Sequence, residues 1–144
     1  NLLITDNLQL VIIDFGMSLW IPYDTLIQTP HFIPKMDPPK GKKQYVSPEA
    51  LANTHPFDPY RSDLWSIGVI LFVLLSGRFP VQVASPLCPF YRCIAGGGIG
   101  QIFRKYNIQI SREAMDLLAH MLNAEPSLRL TIDQIRSHPW MIGG

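Results

Sequence analysis

The sequence predicts a mainly α fold: a short β-hairpin at the start, then a helical bundle around one buried central helix. Three observations carry this. Two apolar runs, Leu2-Leu3-Ile4 and Leu8 to Ile13, flank the turn-forming Thr5-Asp6-Asn7, which is a hairpin pattern. The segment from Ser62 to a stop at Gly77 is apolar on every side in its second half, so as a helix it must be enclosed by others. Ala114, Leu117, Leu118, Met121 and Leu122 repeat at the i, i+3, i+4, i+7, i+8 spacing of a one-sided amphipathic helix.

The other elements follow in order. From Met17 to Lys43 the periodicity vanishes, and Pro22, Pro30, Pro34, Pro38 and Pro39 exclude a continuous helix or central strand. Unstructured stretches of that length are usually functional. Ser47-Pro48-Glu49 opens a helix, with Ser as N-cap, Pro in the first position and an acid at the positive end of the dipole. The central helix begins near Ser62. Another helix covers about Pro89 to Ala95 and ends at Gly96-Gly97-Gly98. Gly96 to Gly100 reads as a plain loop, because a phosphate cradle joins a strand to a helix and this stretch follows a helix. The amphipathic helix occupies Ser111 to Asn123. Thr131 and Gln134 form a capping-box pair for a final short helix ending near Ser137.

Composition narrows the function classes. The chain has 144 residues, 47% of them hydrophobic, which suits one domain that folds without a disulfide or metal staple. Twelve Lys and Arg stand against eleven Asp and Glu, a net charge of +1, so a dedicated nucleic-acid binder is disfavoured. The longest apolar run, Ile67 to Leu75, is far below the ~20 residues that cross a bilayer, so no membrane span is expected. No secretory leader opens the chain, and Cys88 and Cys93 read as reduced thiols, so an intracellular, cytoplasmic protein is expected. His31, His55, His120 and His138 lack metal-ligand spacing. The chain begins at Asn1, without Met, directly in an apolar run, as a piece cut from a longer protein would.

Asp14-Phe15-Gly16 after the second strand means little alone, since Asp and Gly commonly follow strands. Its spacing to other motifs changes that. Asn1 precedes it, Ser47-Pro48-Glu49 follows the long loop, and Asp63-Leu64-Trp65-Ser66-Ile67-Gly68 comes next. Arg129 then lies in Pro126-Ser127-Leu128-Arg129-Leu130-Thr131, and His138-Pro139-Trp140 ends the series. In this order the motifs resemble the eukaryotic protein kinase family, specifically the C-terminal lobe of a serine/threonine kinase of the calcium/calmodulin-dependent-kinase-like branch. The resemblance spans residues 1–144 as a partial kinase domain, with 14–49 as the activation segment.

The resemblance implies ATP-dependent phosphoryl transfer to Ser or Thr of protein substrates, with ATP and Mg²⁺ as cofactors. Asp14 would be the metal-binding Asp and Asn1 the catalytic-loop Asn that holds a second metal through its amide oxygen. Phe15 would pack beside Asp14 as an apolar gate and also serve as a core residue, while Gly16 would let the backbone swing. Glu49 and Arg129 would form a partly buried ion pair anchoring the end of the activation segment, and Asp63 would brace the catalytic loop. Tyr23, Thr25 and Thr29 are conceivable targets of an upstream kinase, although a loop hydroxyl is more often merely solvated. Lys35, Lys40, Lys42 and Lys43 make the segment basic, which favours acidic substrates or, in the narrowly preferred reading, keeps the loop soluble.

There are departures. The His-Arg-Asp triplet, the Gly-rich loop, the strand Lys and its Glu partner are not in these 144 residues. The chain is therefore expected to be inactive alone, with the face toward a second lobe, Phe15 and the hairpin included, unusually exposed. Lys42 stands where serine/threonine kinases commonly carry Thr, and Ser47 replaces the usual Ala before Pro-Glu. The competing reading is a non-catalytic pseudokinase or scaffold lobe for protein binding, which has no physical need of two metal ligands.

Overall fold

The computed structural model describes residues 1–21, 23–24, 29–30, 32–33 and 41–143, with only the backbone of 23, 24, 29 and 30. These residues form β1 (Leu2–Ile4), β2 (Leu10–Ile12), β3 (Tyr23–Asp24), β4 (Thr29–Pro30), and then α1 (Pro48–Ala52) and α2 (Pro59–Ser76). After these come α3 (Pro89–Ala95), α4 (Ile99–Lys105), α5 (Arg112–Met121), α6 (Ile132–Arg136) and α7 (Pro139–Ile142). The fold is mainly α, as the patterning predicts.

The hairpin pairs β1 and β2 antiparallel, with Leu2 opposite Ile12 and Ile4 opposite Leu10. Its turn is longer than expected. Leu8 takes a left-handed φ of 58° and donates its N–H to the Thr5 carbonyl at 2.9 Å, while the Gln9 N–H meets Thr5 Oγ1 at 3.0 Å. Leu8 and Gln9 thus serve the turn rather than the second strand. Every residue from Asn1 to Trp20 is exposed, so the apolar side chains of the hairpin cover nothing within the described residues.

The proline-rich stretch has more regular structure than its composition suggests. β3 and β4 form a two-residue ladder, Tyr23 opposite Pro30, and Ile33 bridges Phe57 through bonds of 3.0 and 3.2 Å. A two-stranded ribbon is all edge, which is where a proline is tolerated.

The central helix α2 starts at Pro59, earlier than expected. Asp58 is its N-cap, accepting the N–H of Tyr60 at 2.9 Å and of Arg61 at 3.3 Å, and Ser62 lies inside the helix. Gly77 ends it with a φ of 66°, its N–H on the Val73 carbonyl at 2.7 Å. Trp65, Val69 and Phe72 are fully buried, and Phe72 packs against Phe103 of α4 with ring centroids 4.7 Å apart. A Cβ on Gly68 would come within 3.0 Å of Leu122, so the end of α5 sits directly on the backbone of α2. Enclosure is not complete, however. Ile67 and Leu74 are 46% and 76% exposed, because α3, α4 and α5 all pack on the other side of the helix.

Two further differences concern glycine and proline. The supposed loop at Gly96 to Gly100 contains the start of α4, which buries Ile99, Ile102 and Phe103 after Gly97 reverses the chain at a φ of 75°. α6 ends at Arg136 as expected, but α7 follows immediately, because His138 caps it by accepting the Trp140 N–H on Nδ1 at 3.2 Å. The other ring nitrogen of His138 bonds Asp116 Oδ2 on α5 at 3.0 Å, which ties α7 to the bundle.

The two-sidedness of α2 has a measurable consequence. Phe72→Ala should cost about 3–5 kcal/mol in urea unfolding, whereas Leu74→Ala should change stability by less than about 0.5 kcal/mol. Comparable losses for the two variants would contradict this packing.

Candidate functional site

The ends of the hairpin bring the first two predicted ligands close in the backbone. The Ile13 N–H donates to the Asn1 carbonyl at 3.0 Å, so Asn1 is held opposite Ile13, the neighbour of Asp14. Asp14 has a left-handed φ of 62° and an exposed side chain whose Oδ1 accepts the Gly16 N–H at 3.3 Å. The unusual backbone conformation therefore falls on Asp14 rather than on Gly16, at a residue type whose short polar side chain tolerates it. Phe15 is 67% exposed, and its carbonyl accepts both the N–H and the hydroxyl of Ser18, at 3.0 and 2.7 Å. It is not a core residue in this chain, because nothing among the described residues covers the hairpin.

Asn1 and Asp14 supply one amide and one carboxylate oxygen donor. Among the described residues no three His, Cys, Asp or Glu side chains gather as a metal site. The pair suits a hard divalent ion such as Mg²⁺, which typically takes one or two protein oxygens and completes its shell with phosphate and water.

Asn1 also lines a cleft of about 430 Å³ whose walls include Met17, Lys42, Tyr45, Phe57 and Asp63. Its floor is tied together by short polar contacts. The hydroxyls of Ser47 and Ser62 are 2.8 Å apart, linking the N-cap of α1 to the first turn of α2, and the Ser66 hydroxyl donates to the Tyr45 carbonyl at 2.9 Å. Asp63 keeps part of its surface in solvent, yet burial of its carboxyl against the protein raises its pKa above the ordinary value. It accepts no hydrogen bond from the described residues.

Glu49 and Arg129, eighty positions apart, meet in a bidentate ion pair. Nη1 reaches Oε1 and Nη2 reaches Oε2, both at 2.7 Å. The side chain of Arg129 is fully buried and that of Glu49 is 14% exposed. Arg129 also donates to the carbonyls of Asn123 at 2.7 Å and Arg61 at 2.8 Å, and its guanidinium stands 5.2 Å from the centre of the Trp65 ring. Arg61 answers by donating to the Arg129 carbonyl. Sequence reasoning missed both Arg61, which no local pattern marks, and the N-cap Asp58, for which Asp-Pro at a helix start is the available signal.

Of the three loop hydroxyls, Tyr23 and Thr29 lie in β3 and β4, while Thr25 lies outside the described residues, as do Lys35 and Lys40. Lys42 and Lys43 are exposed.

A family model described as the protein kinase domain matches residues 1–141. The chain belongs to the protein kinase family. Among its relatives, CBL-interacting serine/threonine-protein kinase 10 of Arabidopsis thaliana is 35% identical over the whole chain and 27% of its own length. CBL-interacting protein kinase 5 of rice is 33% identical over the whole chain and 28% of its own length. Serine/threonine-protein kinase par-4 of Caenorhabditis elegans is 31% identical over 99% of the chain and 22% of its length. The kinase chain thus spans less than a third of the length of these curated relatives.

Two outcomes follow from the charges of this kinase chain. Arg129→Ala strands Glu49 without its partner and should cost about 3–5 kcal/mol. Arg129→Lys should recover little of this, because an ammonium cannot make the forked contact; thermal unfolding compares the two. For Asp63, the folded chain holds the proton more tightly than the unfolded chain. Stability therefore falls as pH rises from the ordinary value of 3.8 through the raised folded value, and is level above it. Asp63→Asn should abolish that slope and leave the chain more stable at neutral pH, as read by melting temperature across pH; an unchanged slope would assign it to another group.

Proposed function

We propose that this chain is the C-terminal lobe of a protein serine/threonine kinase, and that in the complete enzyme it serves transfer of the terminal phosphoryl group of ATP to a Ser or Thr hydroxyl of a protein. Membership of the family and the printed names of its relatives support the reaction class. The observation that carries the reading is the closure of the hairpin, which holds Asn1 beside the Asp14 end of β2 and at the edge of the cleft.

Asn1 and Asp14 would hold Mg²⁺ through their oxygens. Bound with ATP, the ion neutralises charge on the phosphates, the main electrostatic requirement of phosphoryl transfer. Asp14 is pre-positioned by its own bond to the Gly16 N–H, which leaves its second oxygen available. Glu49 and Arg129 keep the wall of the cleft in place by joining α1 to the turn after α5. The raised carboxyl of Asp63 has no protein partner among the described residues, and in the complete enzyme it would accept backbone N–H groups of the catalytic loop. The segment 14–49 would shape the surface that receives the substrate, under control of an upstream kinase. These 144 residues lack a Gly-rich loop and a His-Arg-Asp base, so the chain alone should transfer no phosphate.

The test uses the complete protein that contains this chain. Asp14→Asn should lower kcat for a Ser-containing peptide by at least about a hundredfold, and should raise the Mg²⁺ concentration needed for half-maximal rate while the melting temperature stays put. Near-normal turnover by the variant would overturn the assignment. So would incorporation of radiolabelled phosphate by the isolated 144-residue chain, for the statement that it is inactive alone.

A further inference from the structure

The charges of this chain are unevenly distributed. From Leu64 to Arg112 there is no Asp or Glu, yet the same stretch carries Arg78, Arg92, Arg104, Lys105 and Arg112, while acids outnumber bases in the rest of the chain. All five basic residues are exposed, and none forms an ion pair among the described residues. Three of them are held in place by neutral groups. The Arg78 guanidinium lies over the Tyr106 ring at 4.6 Å, and the Lys105 ammonium over the Phe90 ring at 4.8 Å. The two rings, 6.0 Å apart, are themselves packed against the core. Arg92 donates to the Pro86 carbonyl at 2.8 Å. The result is a set of cations on the α2–α3 connection, α3 and α4 that no carboxylate among the described residues neutralises, two of them stacked on aromatic rings.

We propose that this surface docks an acidic, Asp- and Glu-rich segment of a partner protein. Carboxylates complement the charge, and guanidinium groups offer them forked hydrogen bonds. Cations already fixed on rings lose less side-chain freedom on binding than free ones. A single-stranded nucleic acid fits less well. It needs open aromatic faces for its bases, and here the faces of Phe90 and Tyr106 already carry cations, while a long polyanion would also meet the acidic remainder of the chain. None of these residues lines the cleft, so docking is independent of the phosphoryl-transfer reading.

A fluorescein-labelled peptide of alternating Glu and Gly, its Gln counterpart and the 144-residue chain test this by fluorescence anisotropy. The Glu peptide should bind at least about tenfold more tightly than the Gln peptide, and more weakly as salt is raised. Arg78→Gln with Lys105→Gln should weaken binding by about tenfold, with circular dichroism checking the fold, and Arg92→Gln with Arg104→Gln provides a second pair that leaves the ring contacts intact. Arg136→Gln, on α6 and outside the surface, should change binding by less than about twofold. Equal affinity for the two peptides, an equal loss in Arg136→Gln, or tighter binding to an oligothymidylate of matched charge or to phosphatidylserine vesicles would each overturn the proposal.

Discussion

The structure hinges on the buried guanidinium of Arg129. Such a group carries five N–H donors and no acceptor, so burial is tolerable only if each donor finds an oxygen. Here all five do: both oxygens of Glu49 and the carbonyls of Asn123, Arg61 and Ala124. These oxygens belong to α1, the first turn of α2 and the connection after α5, so one side chain fixes the mutual placement of three segments remote in sequence. The Trp65 ring beneath it completes the setting. The indole Nε1–H of Trp65 has no acceptor among the described residues, so the ring serves there as an apolar and π surface rather than as a donor.

Around that anchor the molecule divides into a packed side and an open one. Trp65, Val69 and Phe72 of α2 bind α3, α4 and α5 into one core, while Leu64, Leu117, Met121 and Ile135 form a second cluster beside it. The hairpin and the Ile67 and Leu74 side of α2 remain in solvent. Apolar surface of this extent is unusual for a monomer in isolation and marks an interface. The second lobe of the complete enzyme proposed above would give it a physical reason.

The candidate metal pair sits at the border of the two sides. Its backbone is restrained, by the Asn1–Ile13 bond and by the Asp14 carboxylate on the Gly16 N–H, while its side chains stay exposed. Restraint in the backbone with open donor atoms suits the ion-binding role proposed for the pair. The same arrangement places the positive φ on an aspartate, which Asp accepts at lower cost than a branched residue.

Much of this was legible in the linear order of residues. Local rules read the hairpin, the Ser47 cap of α1, the Gly77 stop of α2, the amphipathic stripe of α5 and the Thr131–Gln134 box, because each depends on interactions within a few residues. The family resemblance implied the pairing of Glu49 with Arg129, which the structure contains, and a shared site for Asn1 and Asp14, whose backbones the hairpin brings close. Local rules failed where a distant partner decides. α4 exists because Ile99, Ile102 and Phe103 find a core to enter despite the glycines before them, and α7 exists because His138 can reach both Trp140 and Asp116. Phe15 is hydrophobic and yet solvated, and α2 is apolar all round and yet open along one edge, since burial depends on what is present to cover a side chain. The sequence by itself determined the hairpin, α1, the end of α2, α5 and α6, whose signals are local. Only the tertiary structure decided which faces are covered, because burial is a property of neighbours and local patterning does not encode where they lie.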